Sequence, residues 1–280
     1  MKNIIGFCVA AIGLWACAHA AHDELPPGAR YVNMGSSFAA GSGAGPTALG
    51  SPARCYRSSA NYAHLLAARL NLTLEDVSCG GATSAHILNA WNELPAQIDT
   101  VTRDTRLVTI TIGGNDIAYV GNLVASSCEQ GESIRAAGMV FPCPSPFVVP
   151  DAAYTTLESN LREIARQIAT RAPQARVVFI QYIALVPDTQ CAQSRLTETE
   201  AAALRITAAR LAEITNRAAA ETGATVLRMD QISAGHTPCD SDPWSAGLPR
   251  DYDGAAGAAW HPNARGMAVI AEQLEQTLAR

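Results

Sequence analysis

Short apolar runs alternate along the chain with amphipathic stretches. The runs Tyr31 to Met34, Leu72 to Val77, Leu107 to Ile112, Val177 to Ile183 and Thr225 to Leu227 are apolar and β-branched in character. That is the pattern of strands buried on both faces of a parallel sheet. Ser59 to Leu70, Ser84 to Leu94, Thr155 to Arg171, Thr197 to Thr222 and Asn263 to Leu278 carry apolar residues at helical spacing. Several of these start at Ser, Thr or Asn, whose side chains accept from the free N–H groups of a first helical turn. Strands alternating with helices predict an α/β domain, a central, mostly parallel five-stranded sheet with helices on both faces. No internal repeat and no linker interrupts the alternation. The exception is Ala118 to Tyr154, where PCPSPFVVP denies both helix and central strand. A long insertion of this kind in a compact domain is expected to be a functional loop on the substrate side.

The first twenty residues stand apart from this pattern. Lys2 gives a positive start, Ile4 to Trp15 is apolar, and Ala18-His19-Ala20 is a small-residue cleavage pattern. The apolar run is shorter than the about 20 residues that span a bilayer. Residues 1–20 are therefore read as an export signal and 21–280 as one domain, secreted, periplasmic or at the cell surface, with no stable membrane insertion once the signal is removed. The alternative is a lipid anchor at Cys17, since Leu14-Trp15-Ala16-Cys17 resembles a lipobox.

Composition narrows the function. Lys2 is the only lysine, so without residues 1–20 the formal charge moves from −5 to −6, with 25 acidic residues against arginine alone. An acidic chain without a basic run offers a nucleic-acid backbone nothing to hold. With Cys8 and Cys17 in the leader, six cysteines remain, an even number in an exported chain, and three disulfides are expected. Six cysteines admit many pairings. The sequential one, Cys55 with Cys79, Cys128 with Cys143 and Cys191 with Cys239, is expected because each pair then closes one long loop. No CxxC or HxxxH spacing suggests a metal, and neither metal nor cofactor is expected.

Ligands of doubly wound sheets bind at the carboxyl ends of the strands. After the first strand stands Gly35-Ser36-Ser37, after the second Cys79-Gly80-Gly81-Ala82, after the third Gly113-Gly114-Asn115-Asp116, and before the last helix Trp260-His261-Pro262-Asn263. A hydroxyl, glycine amides, a carboxamide and an imidazole are the parts of a serine hydrolase: nucleophile, oxyanion donors and base.

The blocks GSSFAAGSG, CGGATS, GGNDIAY and HPNARG, in this order, resemble those of the SGNH (GDSL-type) hydrolases, especially the secreted actinobacterial-type lipases and esterases with three disulfides. The resemblance spans essentially residues 21–280 and implies a flavodoxin-like three-layer fold. It implies Ser37 as nucleophile, His261 as base, and Ser37, Gly81 and Asn115 around the oxyanion. Asp116 is then a helix cap or local turn carboxylate rather than an acid of the site.

Two positions depart from the family pattern. Ser36 stands where the family has Asp, and Ala258 stands three residues before the histidine, where the family has its acid. The second ring nitrogen of His261 is expected to find a backbone carbonyl near Ala258, with Asp253 and Asp251 as alternatives. Phe141, Phe147, Val148, Val149 and Trp260 suggest an apolar wall for an acyl chain, or equally ordinary packing. The function expected is hydrolysis of lipid or short-to-medium acyl esters by a monomer acting on small-molecule or lipid substrates. The alternatives are a polysaccharide acetylesterase and a non-catalytic surface-binding pseudo-hydrolase.

Overall fold

The computed structural model describes residues 25–129, 131–136 and 139–280. The expected leader, with Cys17, lies outside the described residues. The strands are β1 (Arg30–Gly35), β2 (Thr73–Asp76), β3 (Thr105–Thr111), β4 (Ser133–Ala136), β5 (Met139–Pro142), β6 (Arg176–Ile180) and β7 (Thr225–Leu227). The helices are α1 (Ser37–Ala40), α2 (Tyr62–Leu70), α3 (Ser84–Leu88), α4 (Tyr119–Ser126), α5 (Asp151–Arg171), α6 (Glu198–Thr222), α7 (Met229–Ile232) and α8 (Ala264–Leu278).

Five strands form one parallel sheet in the order β2-β1-β3-β6-β7. β1 lies between β2 and β3, so the chain crosses to one side of β1 after the first strand and to the other after the second. The crevice where strand order reverses is where ligands sit in such sheets. In β1, Tyr31, Val32, Asn33 and Met34 are all fully buried, so its near-continuous apolar run packs on both faces. Helices α5 and α6 pack on each other, as do α2 and α8. The core they cover runs from Met34 and Ile110 in the sheet to Leu161, Leu211 and Leu274 on the helices. The starts of α2, α6 and α8 are capped by side chains that accept from first-turn N–H groups. Asn61 accepts from Ala63 and His64 at the start of α2, and Asn263 accepts from Gly266 N–H at 2.9 Å at the start of α8. Thr197 caps α6 through a reciprocal bond with Glu200.

Three disulfides join Cys55 to Cys79, Cys128 to Cys143 and Cys191 to Cys239. Among the described residues, the one grouping with metal-ligand spacing is Cys128, Glu132 and Cys143. Its two sulfurs are bonded to each other, which removes the thiolates a metal would need.

The fold departs from the sequence expectation in three places. β2 and β7 are not buried on both faces: they are the sheet edges, Thr73 and Thr225 are exposed, and of their residues only Leu227 is buried. Residues 118–154 are not irregular throughout: they hold α4, the antiparallel pair β4 and β5, and the start of α5. Proline acts only locally here. Pro142 ends β5, and Pro150 precedes α5 at a position that needs no helical N–H. Helix α3 stops at Leu88 rather than reaching Leu94, because the chain turns into a bridge between Trp91 and Leu94.

Candidate active site

Ser37 is the first residue of α1, directly beyond the carboxyl end of β1. Gln97 fixes this exit: its side chain accepts from Gly35 N–H at 2.7 Å and donates to Gly35 O at 3.0 Å. The Ser37 Oγ lies 2.8 Å from His261 Nε2, and His261 Nδ1 lies 2.7 Å from the carbonyl oxygen of Ala259. A carbonyl only accepts, so Nδ1 carries the ring proton, and Nε2 presents its lone pair to the Ser37 hydroxyl. Burial pushes the His261 pKa down, opposed by the bond to Ala259. The imidazole is thereby kept neutral and able to take a proton.

The loops that carry the two residues meet at Gly43. It has φ +81, and a Cβ there would come within 2.3 Å of Ala258 N. Only glycine lets the segment after the serine lie against the segment before the histidine.

The three donors that the family resemblance implies are free to donate. The N–H groups of Ser37 and Gly81 have no partner among the described residues. Asn115 donates one amide hydrogen at 2.8 Å to the carbonyl oxygen of Ala82, the residue after Gly81, which leaves its other hydrogen to donate. Such groups suit a developing oxyanion.

Asp116 does not cap its own segment. Its carboxylate accepts from the N–H of Ser84 at 2.9 Å and from the Ser84 hydroxyl, tying the loop after β3 to the start of α3. Burial raises its pKa, and the bonds from Ser84 oppose the rise.

Other expectations need correction. The carbonyl facing Nδ1 belongs to Ala259 rather than to Ala258, whose oxygen accepts from the His261 backbone N–H at 3.1 Å. Asp251 and Asp253 are exposed, and Asp253 accepts from Ala255 N–H at 2.8 Å in a local turn. Neither bonds to His261 among the described residues. Trp260 is fully buried, with its indole N–H donating to Ser127 Oγ at 3.2 Å, so it belongs to the core and not to a substrate wall. Phe147 and Val148 are exposed and Val149 packs against the core; the Phe141 side chain lies outside the described residues. Sequence reading missed Gln97 and Tyr182, which lie outside the four blocks and carry no local motif.

The chain is similar along almost its whole length to known ester hydrolases. It is 32% identical to Lipase 2 of Streptomyces coelicolor, over 99% of this chain and 97% of that protein. It is 31% identical to a lipase of Streptomyces rimosus, over 84% and 81%. The crystal structure of phospholipase A1 from Streptomyces albidoflavus superposes with a TM-score of 0.69 at 25% identity, covering 89% of this chain and 99% of that one. The extracellular lipase of Streptomyces rimosus gives 0.68 at 27% identity, covering 88% and 98%. A model of the GDSL-like lipase/acylhydrolase family matches residues 34–269, from the last residues of β1 into α8, and the chain belongs to that family.

Proposed function

We propose that the chain cleaves carboxylic esters through an acyl-enzyme on Ser37. The observation that carries this is the relay from Ser37 Oγ to His261 Nε2 at 2.8 Å and from Nδ1 to Ala259 O at 2.7 Å. His261 takes the hydroxyl proton as Oγ attacks the ester carbonyl. The negative charge that develops on the carbonyl oxygen is met by the N–H groups of Ser37 and Gly81 and by the Asn115 carboxamide. The intermediate collapses, and His261 returns the proton to the leaving alcohol. A water, deprotonated by the same nitrogen, then releases the acid from Ser37.

Lipid or short-to-medium acyl esters are the proposed substrates. The names of the relatives support this, as do Phe147 and Val148, held out on a loop whose backbone at Phe147 is bonded twice by the Asn122 side chain. Secretion is proposed from the leader pattern and the three disulfides. Among the described residues no helix is long and apolar enough to cross a membrane.

Turnover of p-nitrophenyl esters of increasing chain length tests the reading. Activity that extends to medium chains, is lost in Ser37→Ala, and coincides with fluorophosphonate labelling at Ser37 supports it. Activity confined to acetyl esters favours a deacetylase, and no turnover favours a binding protein.

A further inference from the structure

Behind Ser37 lies a buried hydroxyl that the mechanism above does not use. Tyr182 follows β6 and is 8% exposed. Its oxygen accepts from Gly114 N–H at 3.0 Å and lies 3.2 Å from Ser36 Oγ. Its ring sits 4.3 Å from that of Phe38, which in turn lies 4.8 Å from the His261 ring. Tyr182 therefore touches the residue before the serine, the residue after it, and the glycine before Asn115. A Cβ at Gly114 would come within 2.7 Å of the Tyr182 oxygen, so glycine is what admits the approach.

Ser36 is 1% exposed, and its hydroxyl has no partner other than Tyr182 among the described residues. A carboxylate at position 36 could accept several bonds at once and order this region alone. A serine hydroxyl reaches only one neighbour here, and that neighbour carries the connection onward to Gly114. Burial pushes the Tyr182 pKa up to about 12, so the phenol stays neutral wherever an esterase would be assayed.

We propose that Tyr182 is a positioning residue that sets the Ser37 turn and the Asn115 loop against each other, its hydroxyl joined to Ser36 supplying the link between them. It touches no reacting atom. Its effect falls on the geometry that stabilises the transition state, and hence on kcat rather than on substrate binding. The inference rests on the reading of Ser37 as nucleophile.

The test is steady-state kinetics on p-nitrophenyl butyrate with Tyr182→Phe, Ser36→Ala and the double variant. Phenylalanine keeps the ring against Phe38, and circular dichroism checks the fold of each protein. Tyr182→Phe removes both the Ser36 and the Gly114 contacts of the hydroxyl and is expected to lower kcat by about tenfold, the order of a hydrogen bond's net contribution, with KM within about twofold. The double variant is expected to lose no more than Tyr182→Phe alone, because both substitutions cut the same link. A Tyr182→Phe enzyme with unchanged kcat overturns the proposal while leaving the esterase reading intact. So does a loss confined to KM, or a double-variant loss equal to the product of the single losses. If Ser36→Ala alone fails to fold, Tyr182→Phe with its split between kcat and KM still decides. A wild-type chain that turns over no ester overturns the esterase reading and this proposal together.

Discussion

The ring nitrogen Nδ1 of His261 faces the main-chain oxygen of Ala259, 2.7 Å away and two residues back along the same chain. A carbonyl fixes the tautomer as well as a carboxylate does, but it stabilises the imidazolium only through its dipole. Since neither Asp251 nor Asp253 reaches the ring, Asp251→Asn and Asp253→Asn are each expected to lose less than about tenfold in kcat. Amidating a true triad aspartate costs roughly 10⁴. His261→Ala is expected to be nearly inactive. A loss of several thousandfold at either aspartate, with circular dichroism unchanged, would show that a carboxylate swings in during turnover.

The same environment sets the pH dependence. Burial is the larger influence on His261 and lowers its pKa, with the Ala259 bond pulling the other way. The neutral ring is the form that accepts the Ser37 proton, so activity is present above the lowered pKa and is lost as pH falls through it. The acid limb of kcat/KM is expected to have its midpoint below about 6.5, the ordinary value for histidine. A midpoint above that value would mean an anionic partner holds the proton on the ring.

Much of this architecture is legible in the sequence because it is local. The parallel strands announce themselves as apolar runs, and β1, β3 and β7 fall within a residue or two of those runs. The four blocks that meet around Ser37 sit at strand ends and before the last helix, where the sheet order brings them together. What stays hidden depends on contacts between distant segments. Nothing near Tyr182 signals that its hydroxyl reaches Gly114, 68 residues away. Asp116 bonds Ser84 across 32 residues rather than its own turn. The choice between the Ala258 and Ala259 carbonyls is one of turn geometry, which no spacing rule resolves. Helix α4 is missed because the prolines that follow it colour the whole segment, although their effect stops at their own positions.

Asn115 offers the next test. Its carboxamide is held by Ala82 O and keeps one hydrogen free. Asn115→Ala is expected to lower kcat by about 10²–10³, the usual cost of one oxyanion donor. Because the Ser37–His261 pair is untouched, fluorophosphonate labelling at Ser37 should persist, although more slowly. An equal loss confined to KM would assign Asn115 to substrate binding instead.

The segments that carry Ser37 and His261 are held against each other at Gly43. Gly43 combines φ +81 with a backbone contact that a Cβ would bring to 2.3 Å from Ala258 N. Alanine at this position is strained twice, by its own backbone conformation and by collision with a main-chain atom that has no rotamer to change. The two loops must separate, and the separation falls on the segment that carries Ala259 and His261. Gly43→Ala is therefore expected to destabilise the fold by more than about 1 kcal/mol and to lower kcat beyond what the lost folded fraction explains. Gly50→Ala is the control: it has a similar φ of +75 but open space around it, so it carries the backbone strain without the collision. Thermal melts and active-site titration of both variants separate the two effects. If the two proteins match in kcat per labelled site, the contact at Gly43 does not set the distance between Ser37 and His261.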